Sequence, residues 1–300
     1  MSRLEEALKR TVAAPARTDS FAVPSATALE SFVESEETAG GTAVAAPPAP
    51  PVSVPQPAVK EASNGRLKPD AAFADKLVLD GKIGTLALEQ YRRAAAILHH
   101  AQREQNVRVV MVASALPGEG KTLTSINLAL TISESYQRSV LLIDADLRRP
   151  MIHQVLGIPN RSGLNGLLKA PEEQKVSVSV VSNTLSVLTA GRPDPDPMSG
   201  LISERMRRVV EEARERFEWV IIDTPPVALL PDANLLAAMV DAAVLVIGAG
   251  STPYPAVERA IAALGRERIA GVVLNRADLK AMAADYGAYG YYYTHPSEQA

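Results

Sequence analysis

Met111-Val-Ala-Ser-Ala-Leu-Pro-Gly-Glu-Gly-Lys-Thr122 is the stretch whose reading decides the fold. It closes an apolar run, Val107 to Ala113 broken only by Arg108, that suits a buried strand. The run stops at Pro117, Gly118 and Gly120, and a helix-compatible stretch follows from Lys121 to about Ile132. Strand, glycine-bearing loop and helix in that order are the setting of a phosphate-binding loop. A helix start leaves backbone N–H groups unpaired, and the helix dipole turns its positive end the same way. Gly118 and Gly120 let the backbone approach an anion without a Cβ between them. The spacing predicts a nucleotide cradle over Pro117, Gly118, Glu119, Gly120, Lys121, Thr122 and Leu123. Lys121 would reach the β- and γ-phosphates, and the Thr122 hydroxyl would ligate Mg²⁺. The usual pattern opens with Gly, where this chain has Ala115.

Outward from the loop, short apolar runs recur: Val140-Leu-Leu-Ile, Leu185-Ser-Val-Leu, Val220-Ile-Ile, Ala243-Val-Leu-Val-Ile and Val272-Val-Leu. Helical patterns lie between most of them, near 121–134, 200–216, 232–240 and 255–264. Before the loop, Leu77-Val-Leu reads as a short extended piece, and Thr85 as the N-cap of a helix to about Gln105. Alternation of this kind predicts an α/β fold with a mostly parallel sheet covered by helices on both faces. Phosphate sites in such sheets sit at the carboxyl ends of the strands. Two runs end in acids there. Val140-Leu-Leu-Ile leads into Asp144-Ala-Asp146-Leu-Arg148, and Trp219-Val-Ile-Ile leads into Asp223-Thr-Pro-Pro226. Asp223 is expected to hold Mg²⁺ through its water shell. Asp144 and Asp146 add a second acidic pair, and Arg148 is expected to pair with these carboxylates or with a phosphate.

Composition sets the bounds. The chain has 300 residues, 47% of them hydrophobic, and a net charge of −3, which suits a soluble globular core and gives no sign of a nucleic-acid surface. It has no cysteine, so disulfides and thiolate metal sites are excluded. His99, His100, His153 and His295 are scattered without zinc-like spacing. No apolar run reaches the roughly 18 residues of a membrane-spanning helix. The first residues lack the apolar region of a signal peptide, so a cytoplasmic location is expected. Four regions are expected. Residues 1–12 place Leu4, Leu8 and Val12 on one side of a short helix, either a fraying end or a docking peptide. Residues 13–69 form a disordered Ala/Pro-rich linker, 70–280 the folded domain, and 281–300 a tyrosine-rich tail.

That tail carries Tyr286, Tyr289, Tyr291, Tyr292 and Tyr293, more than half of the eight tyrosines in the protein. Gly287 and Gly290 and the lack of any period argue against a core role. The phosphate loop, Leu-Leu-Ile-Asp-Ala-Asp-Leu-Arg and Ile-Ile-Asp-Thr-Pro-Pro resemble the Walker A, Walker A′ and Walker B motifs of bacterial tyrosine kinases. The resemblance runs from about Leu88 to the C-terminus. It implies a P-loop fold of the MinD/ParA type, use of ATP and Mg²⁺, and autophosphorylation of the tyrosine cluster in the service of capsular or exopolysaccharide synthesis and export. It also implies a separate membrane-anchored activator. A Glu-x-x-Arg-x-x-Arg helix supports ring-like homo-oligomers in that family. Here Glu89-Gln-Tyr-Arg92 matches and Ala95 stands at the second Arg, beside Arg93 two positions earlier.

The expected chemistry is phosphoryl transfer from ATP to tyrosine. Lys121 and the loop amides hold the phosphates. Thr122, Asp223 and one of Asp144 or Asp146 organise Mg²⁺, and the other of that pair draws the proton from the tyrosine, with Asp144 preferred. The rival reading is a MinD/ParA-type switch ATPase without kinase activity. Such ATPases carry an extra lysine near the start of the loop, where this chain has Leu116.

Overall fold

The computed structural model describes residues 67, 69–79, 83–161, 163–170, 178–228 and 232–277. The expected N-terminal helix, nearly all of the linker and the tyrosine cluster lie outside the described residues.

The chain enters through a 3-10 turn, Ala74–Lys76, and then alternates. Its elements are α1 (Thr85–Gln105), β1 (Val109–Ser114), α2 (Lys121–Ser135), β2 (Val140–Asp144), α3 (Ile152–Leu156), α4 (Leu164–Lys169), β3 (Ser179–Val180) and β4 (Leu185–Leu188). There follow α5 (Met198–Leu201), α6 (Glu204–Arg216), β5 (Trp219–Asp223), α7 (Asp232–Ala237), β6 (Ala242–Gly248), α8 (Tyr254–Leu264) and β7 (Ile269–Asn275). The strands form one seven-stranded sheet in the order β3-β4-β2-β5-β1-β6-β7. All pairings are parallel except the two-residue β3 against β4.

The apolar runs have a simple cause. Side chains alternate across a sheet, and here both faces are covered. Val109, Met111, Val220, Ile222 and Leu245 point into one core with α5 to α8. Val110, Val112, Leu142, Ile221 and Val246 point into the other, with α1 to α3. Every residue of β1, β2 and β5 is buried, so these strands are apolar except at their carboxyl ends, Ser114, Asp144 and Asp223. Each fully buried Val, Leu or Ile contributes roughly 1.5–3 kcal/mol. Helix α2 runs through the second core, buried continuously from Thr124 to Ser133.

Several expectations change in detail. Leu77-Val78 does not join the sheet. It lies across α2, where the Val78 N–H donates to Asn127 Oδ1 at 2.9 Å and the Asn127 amide donates back to the Lys76 carbonyl. Leu67 packs against the same core. Gly84, not Thr85, is the N-cap of α1. The helix expected over 200–216 is two helices, because the Ser203 hydroxyl accepts from the Met206 N–H and starts α6 afresh. On α1, Glu89 and Arg92 form an exposed ion pair at 2.7 Å, while Ala95 is buried against the core. A long charged side chain at position 95 would have to displace that packing.

Candidate active site

The loop between β1 and α2 lies at the carboxyl edge of the sheet. β5 and β6 flank β1, and β2 is next beyond β5. Gly118 and Gly120 take φ of 80° and 95°, left-handed values that suit glycine. Helix α2 opens from Gly120 without a side-chain cap, so its first amides remain for a ligand. A Cβ on Gly120 would run into the Asn275 side-chain amide, and its φ of 95° would strain any larger residue. Ala115, at the place of the missing first Gly, is buried in the first core. Pro117 is exposed, and Leu123 packs beside the second core.

Strand register places the two strand-end acids side by side, Asp144 opposite Asp223. The Thr122 hydroxyl donates to Asp223 Oδ2 at 2.7 Å, and Lys121 Nζ meets Asp146 Oδ2 at 2.8 Å. Asp144 Oδ2 accepts from the Ile152 N–H at 3.1 Å, and Asp146 Oδ1 from the Arg149 N–H at 3.1 Å. The remaining oxygens, Oδ1 of Asp144 and Oδ1 of Asp223, are buried without a hydrogen-bond partner. Lys121, Thr122, Asp144, Asp146 and Asp223 therefore converge on one place. The Arg148 guanidinium donates to the Pro195 carbonyl at 2.8 Å, beside the Leu147 carbonyl that accepts from Asp194 N–H. That brace holds the segment after Asp146 against the 194–196 loop.

Burial and crowding tune the acids. Burial lifts the Asp144 carboxyl well above the usual carboxylate range, and the Asp223 charge lifts it further against the Ile152 N–H. Burial likewise pushes Asp223 up to about 6, although Lys121 and the Thr122 hydroxyl pull it down. For Lys121, burial opposes the charge, but Asp223, Asp146 and Asp144 together outweigh it and raise the ammonium. An acidic pocket with two orphaned carboxylate oxygens and one hydroxyl suits a hard divalent cation. Among the described residues no three His, Cys, Asp or Glu side chains form a ready metal cage. Mg²⁺ needs none, since it keeps waters and takes phosphate oxygens as ligands.

Glu119 inside the loop, and Asn275 and Arg276 outside the recognised motifs, also shape it. The Glu119 carboxylate accepts from the Leu116 N–H at 2.7 Å and from the Thr252 hydroxyl. Asn275 Nδ2 donates to the Glu119 carbonyl at 2.8 Å, and the Arg276 guanidinium to the Gly118 carbonyl at 2.5 Å. Glu119 stood within the expected cradle, but its anchoring role had no signal in the sequence. Asn275 and Arg276 simply follow an apolar run.

Comparison with known proteins agrees with this geometry. Residues 105–286 match the ParA family model, described as NUBPL iron-transfer P-loop NTPase. The tyrosine-protein kinase YwqD of Bacillus subtilis (strain 168) is 37% identical over 210 residues, covering 69% of this chain and 87% of that protein. The solved kinase domain of the Escherichia coli tyrosine kinase ETK is 32% identical with a TM-score of 0.59, covering 64% of this chain and 78% of that one. The crystal structure of the chimerical protein CapA2B2 superposes with a TM-score of 0.61 at 25% identity, over 68% of this chain and 90% of that one. Phosphate loop, paired strand-end aspartates and these relatives lead to one statement: the chain belongs to the bacterial tyrosine-kinase family, within the ParA-like P-loop NTPases.

Proposed function

We propose that the chain is an ATP-dependent protein-tyrosine kinase that phosphorylates its own cluster, Tyr286, Tyr289, Tyr291, Tyr292 and Tyr293. The observation that carries this is the convergence of Lys121, Thr122 and three aspartates on one amide-lined loop, with two carboxylate oxygens left unpaired. The amides of residues 118–123 hold the triphosphate, and Lys121 exchanges Asp146 for phosphate oxygens. Thr122, Asp223 and Asp146 would hold Mg²⁺, which would supply positive charge against that developing on the transferred phosphoryl group. The tyrosine oxygen attacks the γ-phosphorus, the bond to the β-phosphate oxygen breaks, and ADP leaves. Asp144 takes the phenolic proton, a role that suits a carboxyl raised by burial. Each phosphate adds roughly −1.5 to −2 charge, enough to drive a modified tyrosine out of an acidic pocket.

The reading extends to the whole chain. Residues 70–280 act as the kinase domain, 281–300 as the acceptor tail, and 1–12 with the linker 13–69 as the docking arm. The partner is a membrane-anchored activator of capsule or exopolysaccharide export, which would recruit a cytoplasmic kinase to the membrane. Its support is the similarity to the chimerical protein CapA2B2. No helix among the described residues is long and apolar enough to cross a membrane.

The match to the ParA model favours a second reading, a switch ATPase that does not phosphorylate protein. Incubation with ATP and Mg²⁺ separates the two. Wild type should gain phosphotyrosine, and neither Lys121→Met nor a truncation after Asp285 should. ADP release without phosphotyrosine would select the switch ATPase. Phosphotyrosine on Lys121→Met would refute the assignment of the loop.

A further inference from the structure

A phosphate loop works only if its N–H groups face the ligand, and a loop rich in glycine does not hold that orientation unaided. The peptide unit is planar and trans, so a carbonyl and the N–H that follows it point in opposite directions. Fixing one therefore fixes the other. Two successive carbonyls of this loop are held from outside by the end of β7. Arg276 donates to the Gly118 carbonyl and Asn275 to the Glu119 carbonyl. The corresponding amides, those of Glu119 and Gly120, have no partner among the described residues.

The anchor is itself firmly set. Asn275 ends β7, and its carbonyl accepts from the Ala249 N–H at 2.8 Å. Its side-chain oxygen accepts from the Arg276 N–H at 2.9 Å. Arg276 sits at φ 58°, a left-handed conformation that a non-glycine residue adopts at a cost. That conformation accompanies a guanidinium brought back onto the loop, and the cost marks the position as one to test.

We propose that Arg276 is a positioning residue for nucleotide binding: it acts with Asn275 to turn the Glu119 and Gly120 amides into the phosphate cradle. It touches loop backbone rather than the reacting atoms. The proposal rests on the reading that ATP occupies this cradle.

The test measures affinity for a fluorescent ATP analogue, and KM for ATP and kcat for tyrosine phosphorylation, on the full chain. Arg276→Ala should weaken nucleotide binding about ten-fold, as expected for a lost charge-assisted hydrogen bond. The loss should fall on KM rather than kcat. Arg276→Lys keeps a donor and should recover part of the affinity. Arg276→Gly relieves the backbone but lacks the donor, and should bind as weakly as Arg276→Ala. Arg276→Ala binding ATP as tightly as wild type would overturn the proposal, and so would Arg276→Gly matching wild type, because backbone shape alone would then suffice. Failure of wild type itself to bind the analogue would remove the ATP reading, and this proposal with it.

Discussion

The two ends of the parallel sheet carry the same residue type under opposite conditions. At the amino end, Asp241 accepts from the Arg108 and Val109 N–H groups at 2.8 Å each and pairs with Arg214 at 2.6 Å. Burial alone would lift its carboxyl, but Arg214 and the two amides outweigh that and lower it. Glu218, just before β5 at the same end of the sheet, is lowered against its own burial by the Ser139 N–H and Arg138. At the carboxyl end, Asp144 and Asp223 each keep a buried oxygen without a partner, and both are raised. One end uses acids to fasten loops to strands. The other uses the strands to hold acids where they are least comfortable, a state stabilised only when cations arrive. Function therefore shows as unsatisfied chemistry rather than as the presence of charge.

Variants can break that contrast. The largest effect should follow Lys121→Met, which ought to lower tyrosine phosphorylation by on the order of 100- to 1,000-fold in a phosphotyrosine assay. Asp223→Asn should abolish transfer too, yet stabilise the unliganded protein by up to about 3 kcal/mol in denaturant unfolding, because it removes a buried charge. Asp241→Ala should do the reverse. It should leave transfer near wild type and destabilise by about 2 kcal/mol, since two strand-entry amides and Arg214 lose their partner. Glu218→Gln, at an ion pair nearly half exposed, should cost no more than about 1 kcal/mol.

The pH dependence sharpens the same point. Asp223, with a folded-state pKa raised to about 6, contributes a destabilisation that grows as pH climbs from the ordinary carboxylate range through 6. Asp241, with a lowered pKa, contributes stability that is present above the ordinary range and lost as pH falls through its own lower value. Unfolding curves of wild type and Asp223→Asn should therefore diverge across roughly pH 4 to 6 and run parallel above it.

Most of this architecture was legible in the residues. Buried parallel strands write themselves as unbroken Val/Ile/Leu runs, and five expected runs became β2, β4, β5, β6 and β7. The loop and strand-end acids were legible because phosphate chemistry needs those residue types in that order. What escaped was short or long-range. β3 has two residues and no period to detect. Helices α3 and α4 span five and six residues, too few for an apolar stripe. The Arg148 brace and the Asn275–Arg276 clamp join residues far apart in sequence, and no local pattern encodes such meetings.

The clamp has one more consequence, which concerns distance. Ala277 follows Arg276 directly, and Tyr286 comes nine residues later, Tyr293 sixteen. At no more than about 3.6 Å per residue, the ten and seventeen residues from Arg276 to these tyrosines extend no further than about 36 and 61 Å from the point touching the phosphate loop. Tethers of such length set effective concentrations on the order of millimolar. A chain acting on its own tyrosines would thus meet its acceptor at a level set by leash length, whatever the abundance of the protein.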